Sequence, residues 1–432
     1  MPRKPDLHGC FGRDLNTGLP HWWERVSATP SSTWFGKWAA SIKGFTLSLL
    51  LACAFVPLQG SGAPLNPFQY IPPGGTGQLT TGNPAVAMLL RTVDGKAVPA
   101  CTGTLVSPRT ILTAAHCFCG EGQGTPRTAG SCEPDRTLWQ VVFQRAGRLM
   151  ADSIMIHPAY MWRKDSDGGV TIEADLALVQ LQEVARGIQP VRIATSAPKP
   201  GAAMHMAGFG FSGGGPLGRQ VVSPGLLVVV DSTAAACPDL VRGTGLLCRA
   251  ASASASRNCL GDSGGPGMNG QSELVSVASA ASSDCPKPGI AVDMDASTQR
   301  VRDFVAQHAP ETTARDGALA VVVPNGAYSK LAPDRTARFD VTGLDAAYAE
   351  SLVMVNGPDH TNGGEQSAPD KPLTLTVEGA TCDATSGGLV PANVAECRFD
   401  TPKDGRLSIL VSGPVKDDPI QVSVTLRRAR MQ

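Results

Sequence analysis

The sequence lacks an excess of charge of either sign. Its 37 lysines and arginines balance 37 aspartates and glutamates, so the formal net charge at pH 7 is zero. A dedicated nucleic-acid-binding protein usually carries a basic excess. We therefore expect no nucleic-acid partner, although a local basic patch is compatible with this balance. The chain also has no internal repeat at a fixed period and no long charge run.

Aromatic residues are scarce, at 5 %, whereas glycine (48 residues) and proline (34 residues) are abundant. This composition indicates short strands joined by many turns. Hydrophobic residues still make up 42 % of the chain, which is enough for genuine cores and argues against wholesale disorder. The 432 residues allow two or three domains of roughly 100–200 residues each.

The apolar run near the N-terminus, Phe45 to Leu58, is short for a membrane span. It has 14 residues, against the roughly 20 that a spanning helix needs. Lys37 and Lys43 precede it and small residues follow it, which is the arrangement of a secretory signal. We therefore assign residues 1–63 to an N-terminal leader with a signal peptide, with a membrane anchor as the alternative.

The cysteine content indicates an oxidising compartment, because twelve cysteines are many for a reduced cytosolic protein. Cleavage at Ala52-Cys53-Ala54 or after Ala63 would leave ten, an even number that could all be paired. Segment 50–53 also loosely resembles a bacterial lipoprotein box. We expect a secreted or periplasmic protein, with a lipid anchor through Cys53 as the alternative.

Residues 79–309 consist of short apolar segments between Gly, Pro and Ser clusters, which is typical of an all-β barrel or sandwich. The clearest candidate strands are Ala85–Leu90, Leu138–Phe143, Leu226–Val230 and Leu274–Ala278. Residues 296–308 are the exception. Val301, Phe304 and Val305 recur there at helical spacing, which predicts an amphipathic helix that packs on the barrel.

A polar linker at 310–317 precedes a second strand-rich unit at 318–432, which we expect to be a small β-sandwich. Its candidate strands are Val321–Val323, Leu352–Val355, Leu373–Val377, Leu407–Val411 and Ile420–Leu426. Cys382 and Cys397 are expected to staple a loop in it. The unit is either an accessory module that docks the protein on a surface or an insoluble substrate, or a stabilising appendage.

Three segments carry recognisable chemistry: LTAAHC at 112–117, DLALVQL at 175–181 and GDSGGP at 261–266. They resemble the trypsin/chymotrypsin-like serine proteases, in which a histidine, an aspartate and a serine follow one another as His116, Asp175 and Ser263 do here. The resemblance covers residues 71–309. It implies a protease domain with the chymotrypsin-like double β-barrel and a C-terminal helix.

The chemistry of these residue types explains the pattern. A serine hydroxyl is a poor nucleophile until a base removes its proton, and His116, with an unperturbed pKa near ~6.5, can accept and return that proton at neutral pH. The resemblance implies that Asp175 orients the imidazole and that the backbone N–H groups of Gly261 and Ser263 form the oxyanion hole. It implies a serine endopeptidase that acts on proteins or peptides without a cofactor.

We interpret three other candidate acids and bases as non-catalytic. His157 lies before Pro158 in a segment that resembles part of the family ahead of the aspartate, and we interpret it as structural. Asp165 and Asp167 lie next to a Gly-Gly loop and are expected to be solvated.

The resemblance also implies the disulfide pairing of the protease region. It pairs Cys101 with Cys117, Cys237 with Cys248 and Cys259 with Cys285, and leaves Cys119 and Cys132 to pair with each other. A metal site formed by His116, Cys117, Cys119 and Cys132 is the rival interpretation. Its spacing fits no common zinc pattern, so we expect no metal.

Substrate contacts are expected from the segment VASAA at 277–281, which the resemblance makes an edge strand beside a bound peptide. Ser279 stands where the family has a serine near the aspartate, and Ala281 where glycine is frequent. Arg257 stands six residues before Ser263, where trypsin has an aspartate that selects basic side chains. A preference for acidic or small residues is the resulting hypothesis, and Arg257 as an internal counter-ion is the alternative.

The activation step is left open by the sequence. Family members usually expose an Ile-Val-Gly-Gly N-terminus that pairs with the aspartate before the nucleophile, and the segment at 71–75 matches it poorly. Asp262 therefore needs another cation, a processed N-terminus or a side chain such as Arg257. The missing activation sequence also keeps a second function open, that of a non-catalytic binding or adhesion protein with a protease fold.

Overall fold

The computed structural model describes residues 78–80, 82–122, 125–185, 187–214, 220–222, 226–251, 261–281, 290–309, 319–322, 329–358, 373–382, 394–414 and 418–427. These residues belong to one compact unit. The leader at 1–63, the linker at 310–317, Arg257 and the Cys259–Cys285 pair lie outside them. Within these ranges, no helix has the length and apolarity that crossing a membrane requires.

The first part of the chain forms a closed antiparallel barrel. Its elements are β1 (Gln78–Leu79), β2 (Val86–Val93), β3 (Lys96–Ser107), β4 (Thr110–Thr113), α1 (His116–Cys119), β5 (Arg127–Thr128), two 3₁₀ turns (Ala129–Ser131 and Arg136–Leu138), β6 (Trp139–Phe143), β7 (Gly147–Ile156), β8 (Met161–Lys164), β9 (Val170–Glu173) and β10 (Ala177–Leu181). The barrel order is β10-β4-β3-β2-β6-β7.

The first five residues of β2, Val86–Leu90, are apolar and buried on both faces of the strand. Ala87 and Leu89 point into the barrel core, whereas Met88 and Leu90 pack in a second cluster outside it. Successive side chains of a strand point to opposite faces, so a continuous apolar run is expected where neither face meets water.

The second part forms another barrel followed by a helix. Its elements are β11 (Ala203–Gly208), β12 (Phe211–Gly214), β13 (Gln220–Val222), β14 (Val228–Ala235), β15 (Val241–Arg242), β16 (Leu246–Ala251), β17 (Pro266–Met268), β18 (Leu274–Ala281), β19 (Ile290–Asp295) and α2 (Gln299–His308). Six strands in the order β14-β11-β17-β18-β19-β16 close into a ring through a β14–β16 pairing. The predicted double β-barrel is confirmed.

Helix α2 is the helix that the sequence predicts. The Thr298 hydroxyl caps it by accepting a hydrogen bond from the N–H of Val301, which satisfies one of the free donors at a helix start. Val301, Phe304 and Val305 are buried in a cluster shared with strands of both barrels. The helix therefore closes the two-barrel unit.

A buried ion pair that the sequence did not indicate lies inside the second barrel. The guanidinium of Arg249 on β16 donates from Nε and Nη2 to the carboxylate of Asp293 on β19, at 2.5 and 2.9 Å. The Ser276 hydroxyl on β18 donates to the same carboxylate at 2.5 Å. The two-point contact and the extra donor compensate the burial of both charges.

A small sheet of order β15-β9-β8-β5 lies beside the barrels. Strand β5 belongs to the segment after His116, stapled by the Cys119–Cys132 bridge, and β9 ends two residues before Asp175. Arg242 of β15 forms ion pairs with Asp165 and Asp167, which lie in the turn between β8 and β9. The two aspartates are therefore paired rather than simply solvated.

The C-terminal part is a two-sheet sandwich, as predicted. Its strands are β20 (Leu319–Val322), β21 (Ser329–Lys330), β22 (Thr336–Thr342), β23 (Glu350–Asn356), β24 (Thr374–Val377), β25 (Val394–Asp400), β26 (Arg406–Ser412) and β27 (Pro419–Arg427). One sheet has the order β20-β27-β23-β25, with β21 beside β27, and the other β22-β26-β24. Apolar side chains from both sheets share one core.

The sandwich packs against the first barrel. Every residue of β23 and β27 is buried, so the sheet that contains them is covered on both faces. Met354 and Val394 join the apolar cluster of Met88 and Leu90 on the barrel exterior. The sandwich is therefore in tight contact with the first barrel.

A buried ion pair lies in this contact. The guanidinium of Arg148 on β7 donates from Nη2 and Nε to the Glu396 carboxylate on β25, at 2.7 and 3.2 Å. Both side chains are almost completely buried, and Arg398 also donates to Glu396 at 3.0 Å. Arg427 and Gln421 of β27 donate to the carbonyl oxygens of Arg148 and Gln144. Side chains of the sandwich thus pair with one charged side chain and two backbone carbonyl groups of the first barrel.

We predict that Glu396→Gln lowers the free energy of unfolding of the full chain by about 3–5 kcal/mol, since removing one partner leaves a buried charge without compensation. The measurement is denaturant-induced unfolding. Glu378→Gln is the matched control, because it removes the partner of Arg338 in an ion pair exposed on both sides and should change stability little. Equal changes in the free energy of unfolding for the two substitutions would contradict the inferred contribution of the buried ion pair to stability.

Candidate active site

His116 is held at the point where strand β4 of the first barrel passes into α1. Its backbone N–H donates to Oδ1 of Asp175 at 2.8 Å, and its ring Nδ1 lies 2.7 Å from Oδ2 of the same carboxylate. The imidazole is 9 % exposed and Asp175 is fully buried. One carboxylate therefore fixes both the position of the residue and the orientation of its ring.

Asp175 lies in the short connection between β9 and β10. The preceding Ala174 has a positive φ of 42°, and its carbonyl accepts from the N–H of Leu176 at 2.7 Å. This tight bend turns the carboxylate toward His116. The Ser279 hydroxyl of β18 donates to Oδ2 of Asp175 at 2.5 Å. A residue of the second barrel thus completes the environment of two residues of the first.

The electrostatics of the pair follow from this geometry. Burial by itself lowers the pKa of His116, but the charge and hydrogen bond of Asp175 outweigh it, so the pKa lies above the ordinary 6.5. Burial raises the pKa of Asp175, but His116, the Ser279 hydroxyl and the backbone N–H of His116 bring it below 3.8. The aspartate is ionised at neutral pH, and it stabilises a proton on the imidazole.

Ser263 lies in a tight turn between the barrels. Its carbonyl oxygen accepts from the N–H of Thr102 at 2.8 Å and lies 3.9 Å from Sγ of Cys117, the residue after His116. Gly264, with φ +80°, leaves no room for a side chain, since a Cβ there would lie 1.9 Å from Oγ1 of Thr113. The Ser263 turn therefore packs closely against strand β4, which leads to His116.

The expected oxyanion donors lie in the same turn. Gly261 has φ +94°, a conformation that favours glycine. The carbonyl oxygens of Gly261 and Ser263 both accept hydrogen bonds from Thr102. Gly261 and Ser263 thus lie in one turn, in which their N–H groups are the expected oxyanion donors.

Asp262, between these two donors, has an identified partner. Its Oδ1 accepts from the N–H of Gly210 at 2.8 Å. The cationic partners expected from the sequence, Arg257 and a processed N-terminus near residues 71–75, lie outside the described ranges.

The other predicted substrate residues belong to strand β18. Ser279 is buried on Asp175, and Ala281 pairs with Ala291 of β19 at the end of the strand. On the opposite edge, Ala278 exchanges hydrogen bonds with Gly264 and Gly265 of the Ser263 turn. Val277 and Ala278 therefore have partners on both sides, so the prediction of an edge strand over 277–281 is wrong for these two residues.

The disulfides of the described residues agree with the pairing expected from the resemblance in the two-barrel part and from the sequence in the sandwich. The bridges are Cys101–Cys117, Cys119–Cys132, Cys237–Cys248 and Cys382–Cys397. Cys101, His116 and Cys117 place possible metal-binding atoms near one another, but the two sulfurs are joined in a bridge. Cys119 and Cys132 are bridged as well. The rival metal site thus has no thiolate to offer in this state.

His157 has the structural position expected for it. Its ring packs edge-on against Phe304 of α2, with centroids 4.7 Å apart, and Nδ1 accepts from the N–H of Ala159 at 3.1 Å. Burial, and then the charges of Arg300 and His308, lower its pKa below 6.5. The environment of His157 thus lowers the pKa of its ring, whereas that of His116 raises it.

Thr102 is the residue at this site that the sequence analysis missed. It is fully buried on β3 next to Cys101 and contacts the Ser263 turn through both its backbone and its hydroxyl. A polar side chain inside a barrel strand, beside a cysteine of the histidine loop, is the signal that could have found it.

Comparison with known proteins identifies a family. The family model described as Trypsin matches residues 74–304, more than half of the chain. Coagulation factor XII of Bos taurus is 29 % identical over 190 residues, covering 38 % of this chain and 28 % of that protein. Kallikrein-7 of Homo sapiens is 27 % identical over 220 residues, covering 48 % and 78 %. Serine protease 56 of Homo sapiens is 32 % identical over 181 residues.

The chain spans only 28 % and 27 % of the length of factor XII and serine protease 56. Among solved structures, neuropsin, a serine protease expressed in the limbic system of mouse brain, is 21 % identical with a TM-score of 0.41, covering 54 % of this chain and 99 % of that one. Human heparin binding protein is 20 % identical with a TM-score of 0.40, covering 56 % and 100 %.

We predict that the His116 imidazole titrates above pH 6.5 and that Asp175→Asn moves its midpoint below 6.5, since burial then dominates. The measurement is a pH titration of the ring signals by NMR. His157 is the internal control, and should titrate below 6.5 in both proteins. A His116 midpoint that is unchanged in the variant would show that the carboxylate does not control this ring.

Proposed function

Because the chain belongs to the trypsin family of serine proteases, we propose that it is an endopeptidase that uses Ser263, His116 and Asp175. The observation that carries this proposal is the buried hydrogen-bonded chain of His116, Asp175 and Ser279. The position of Ser263, in a turn that contacts the residue after His116, also supports the proposal.

In the proposed reaction, His116 accepts the proton of the Ser263 hydroxyl as its oxygen bonds to the substrate carbonyl carbon. The tetrahedral intermediate then collapses, His116 gives the proton to the leaving amine, and an acyl-enzyme remains. His116 then takes a proton from water as the water oxygen bonds to the acyl carbon, and it returns the proton to the Ser263 oxygen as the acyl group leaves. Asp175 stays ionised and stabilises the imidazolium in both halves, as its lowered pKa favours.

The developing oxyanion would accept hydrogen bonds from the N–H groups of Gly261 and Ser263. Loss of one such donor typically costs about 10²–10³ in rate. An extended peptide substrate would pair with residues 279–281 of β18, whose other side pairs with β19. These side chains and backbone groups account for the whole reaction without a cofactor.

We predict that a fluorophosphonate probe labels the processed protein and that both Ser263→Ala and His116→Ala abolish labelling, because the first removes the nucleophile and the second its base. The measurement is the mass of the labelled peptide. Ser153→Ala, on the distant part of β7, is the control and should label normally.

Absence of labelling in correctly processed wild-type protein would refute the proposed activity. That result would favour the alternative function, a binding protein that retains the fold.

Cleavage after acidic or small residues is the proposed specificity. It rests on Arg257, whose guanidinium could hold a substrate carboxylate at two points. We predict that a peptide library shows this preference and that Arg257→Ala selectively weakens cleavage after acidic residues. A strong preference for Lys or Arg in the wild-type protein would overturn the specificity but leave the endopeptidase activity standing.

The C-terminal sandwich is proposed to be a permanent part of the protease rather than a tethered appendage. The buried Arg148–Glu396 pair and the fully buried strands β23 and β27 support this. Docking to an insoluble substrate remains a further proposal. It would have to use the β22-β26-β24 sheet, where buried and exposed residues alternate along β22, because the other sheet faces the barrel.

We propose that the protein acts outside the cytoplasm, after removal of the leader at 1–63 and with the protease part at 71–309. The four disulfides among the described residues agree with an oxidising compartment. Nothing in the comparisons supports the alternative of a lipid anchor through Cys53.

A further inference from the structure

Thr102 makes four hydrogen bonds around the Ser263 turn. Its N–H donates to the carbonyl of Ser263 and its hydroxyl to the carbonyl of Gly261, both at 2.8 Å. The hydroxyl accepts from the N–H of Phe209 at 3.1 Å, and the Thr102 carbonyl accepts from the Thr113 hydroxyl at 2.7 Å. The residue is fully buried.

These contacts hold a turn that has little stiffness of its own. Three of its residues are glycines, Gly261, Gly264 and Gly265, and glycine rotates more freely than any other residue. Thr102 fixes the carbonyls on both sides of Asp262. These carbonyls belong to the same two residues as the oxyanion donors, Gly261 and Ser263. Holding them limits rotation about the backbone bonds of both residues and so restrains the direction of their N–H groups.

The hydroxyl links three parts of the chain. Thr102 belongs to the first barrel, Gly261 to the nucleophile turn, and Phe209 follows β11 of the second barrel. A hydroxyl has a single proton to donate. Here the Thr102 hydroxyl donates it to the carbonyl of Gly261 and accepts a hydrogen bond from the N–H of Phe209. Valine at this position would fill almost the same volume but lose both contacts.

We propose that Thr102 is a positioning residue that holds the N–H groups of Gly261 and Ser263 in the geometry that binds the oxyanion. This role rests on the proposed endopeptidase activity. Thr102 does not touch the substrate, and it acts through the turn alone.

Thr104 supplies a matched control on the same strand. It lies two residues further along β3 and is also buried, and among the described residues its hydroxyl has no hydrogen-bond partner. Thr104→Val therefore makes the same chemical change at a site where no hydrogen bond to the turn is lost.

The experiment compares Thr102→Val, Thr102→Ser and Thr104→Val in the full-length processed protein. We expect Thr102→Val to lower kcat by about 10–100-fold, part of the loss for a whole oxyanion donor, with KM changed less than about twofold since ground-state binding is untouched. Thr102→Ser, which keeps the hydroxyl, and Thr104→Val should stay near wild type. Affinity for a peptide aldehyde, which forms a tetrahedral adduct, should fall in parallel with kcat.

Stability measurements separate positioning from folding. If Thr102→Val does not fold, Thr102→Ala, which keeps the backbone bond to Ser263, takes its place. Wild-type kcat in a folded variant without the hydroxyl overturns the inference, as does an equal loss in Thr102→Ser. If wild-type protein is not labelled by the fluorophosphonate, the proposed activity itself is wrong and the positioning role falls with it.

Discussion

The buried carboxylate of Asp175 is the charge around which the site is built. A carboxylate removed from water is tolerated only where hydrogen bonds and an opposite charge replace its hydration. Here the backbone and ring of His116 supply two contacts and the Ser279 hydroxyl a third. Because these donors come from different barrels, the carboxylate is satisfied only when the barrels are packed together, which links folding of the site to folding of the domain.

The same principle operates at two further places. Arg249 and Asp293 form a two-point ion pair inside the second barrel, with Ser276 as an additional donor. Arg148 and Glu396 do so between the first barrel and the sandwich. In each case the buried charges face each other from different strands. Such pairs penalise any arrangement that separates the strands, and they favour one register of the layers over others.

Much of the local architecture was predictable from the sequence. Short apolar segments between turn residues predicted four strands of the barrels and five of the sandwich, each of which overlaps an observed strand. The spacing of Val301, Phe304 and Val305 predicted helix α2. The sheet of order β15-β9-β8-β5 was not predicted. Its strands are only two to four residues long and come from three separate segments, so no single window of sequence carries a periodic signal for it.

The sequence by itself determined which residues are the candidates for the proposed reaction, because His116, Asp175 and Ser263 lie in short motifs that resemble those of the family. Only the tertiary structure decided which groups support them. Thr102 and Gly261 are separated by 159 positions along the chain, and Arg148 and Glu396 by 248. Contacts between residues so far apart depend on how the two barrels and the sandwich pack against one another. Side-chain contacts of this range leave no pattern in neighbouring residues, since each partner alone is compatible with many surroundings.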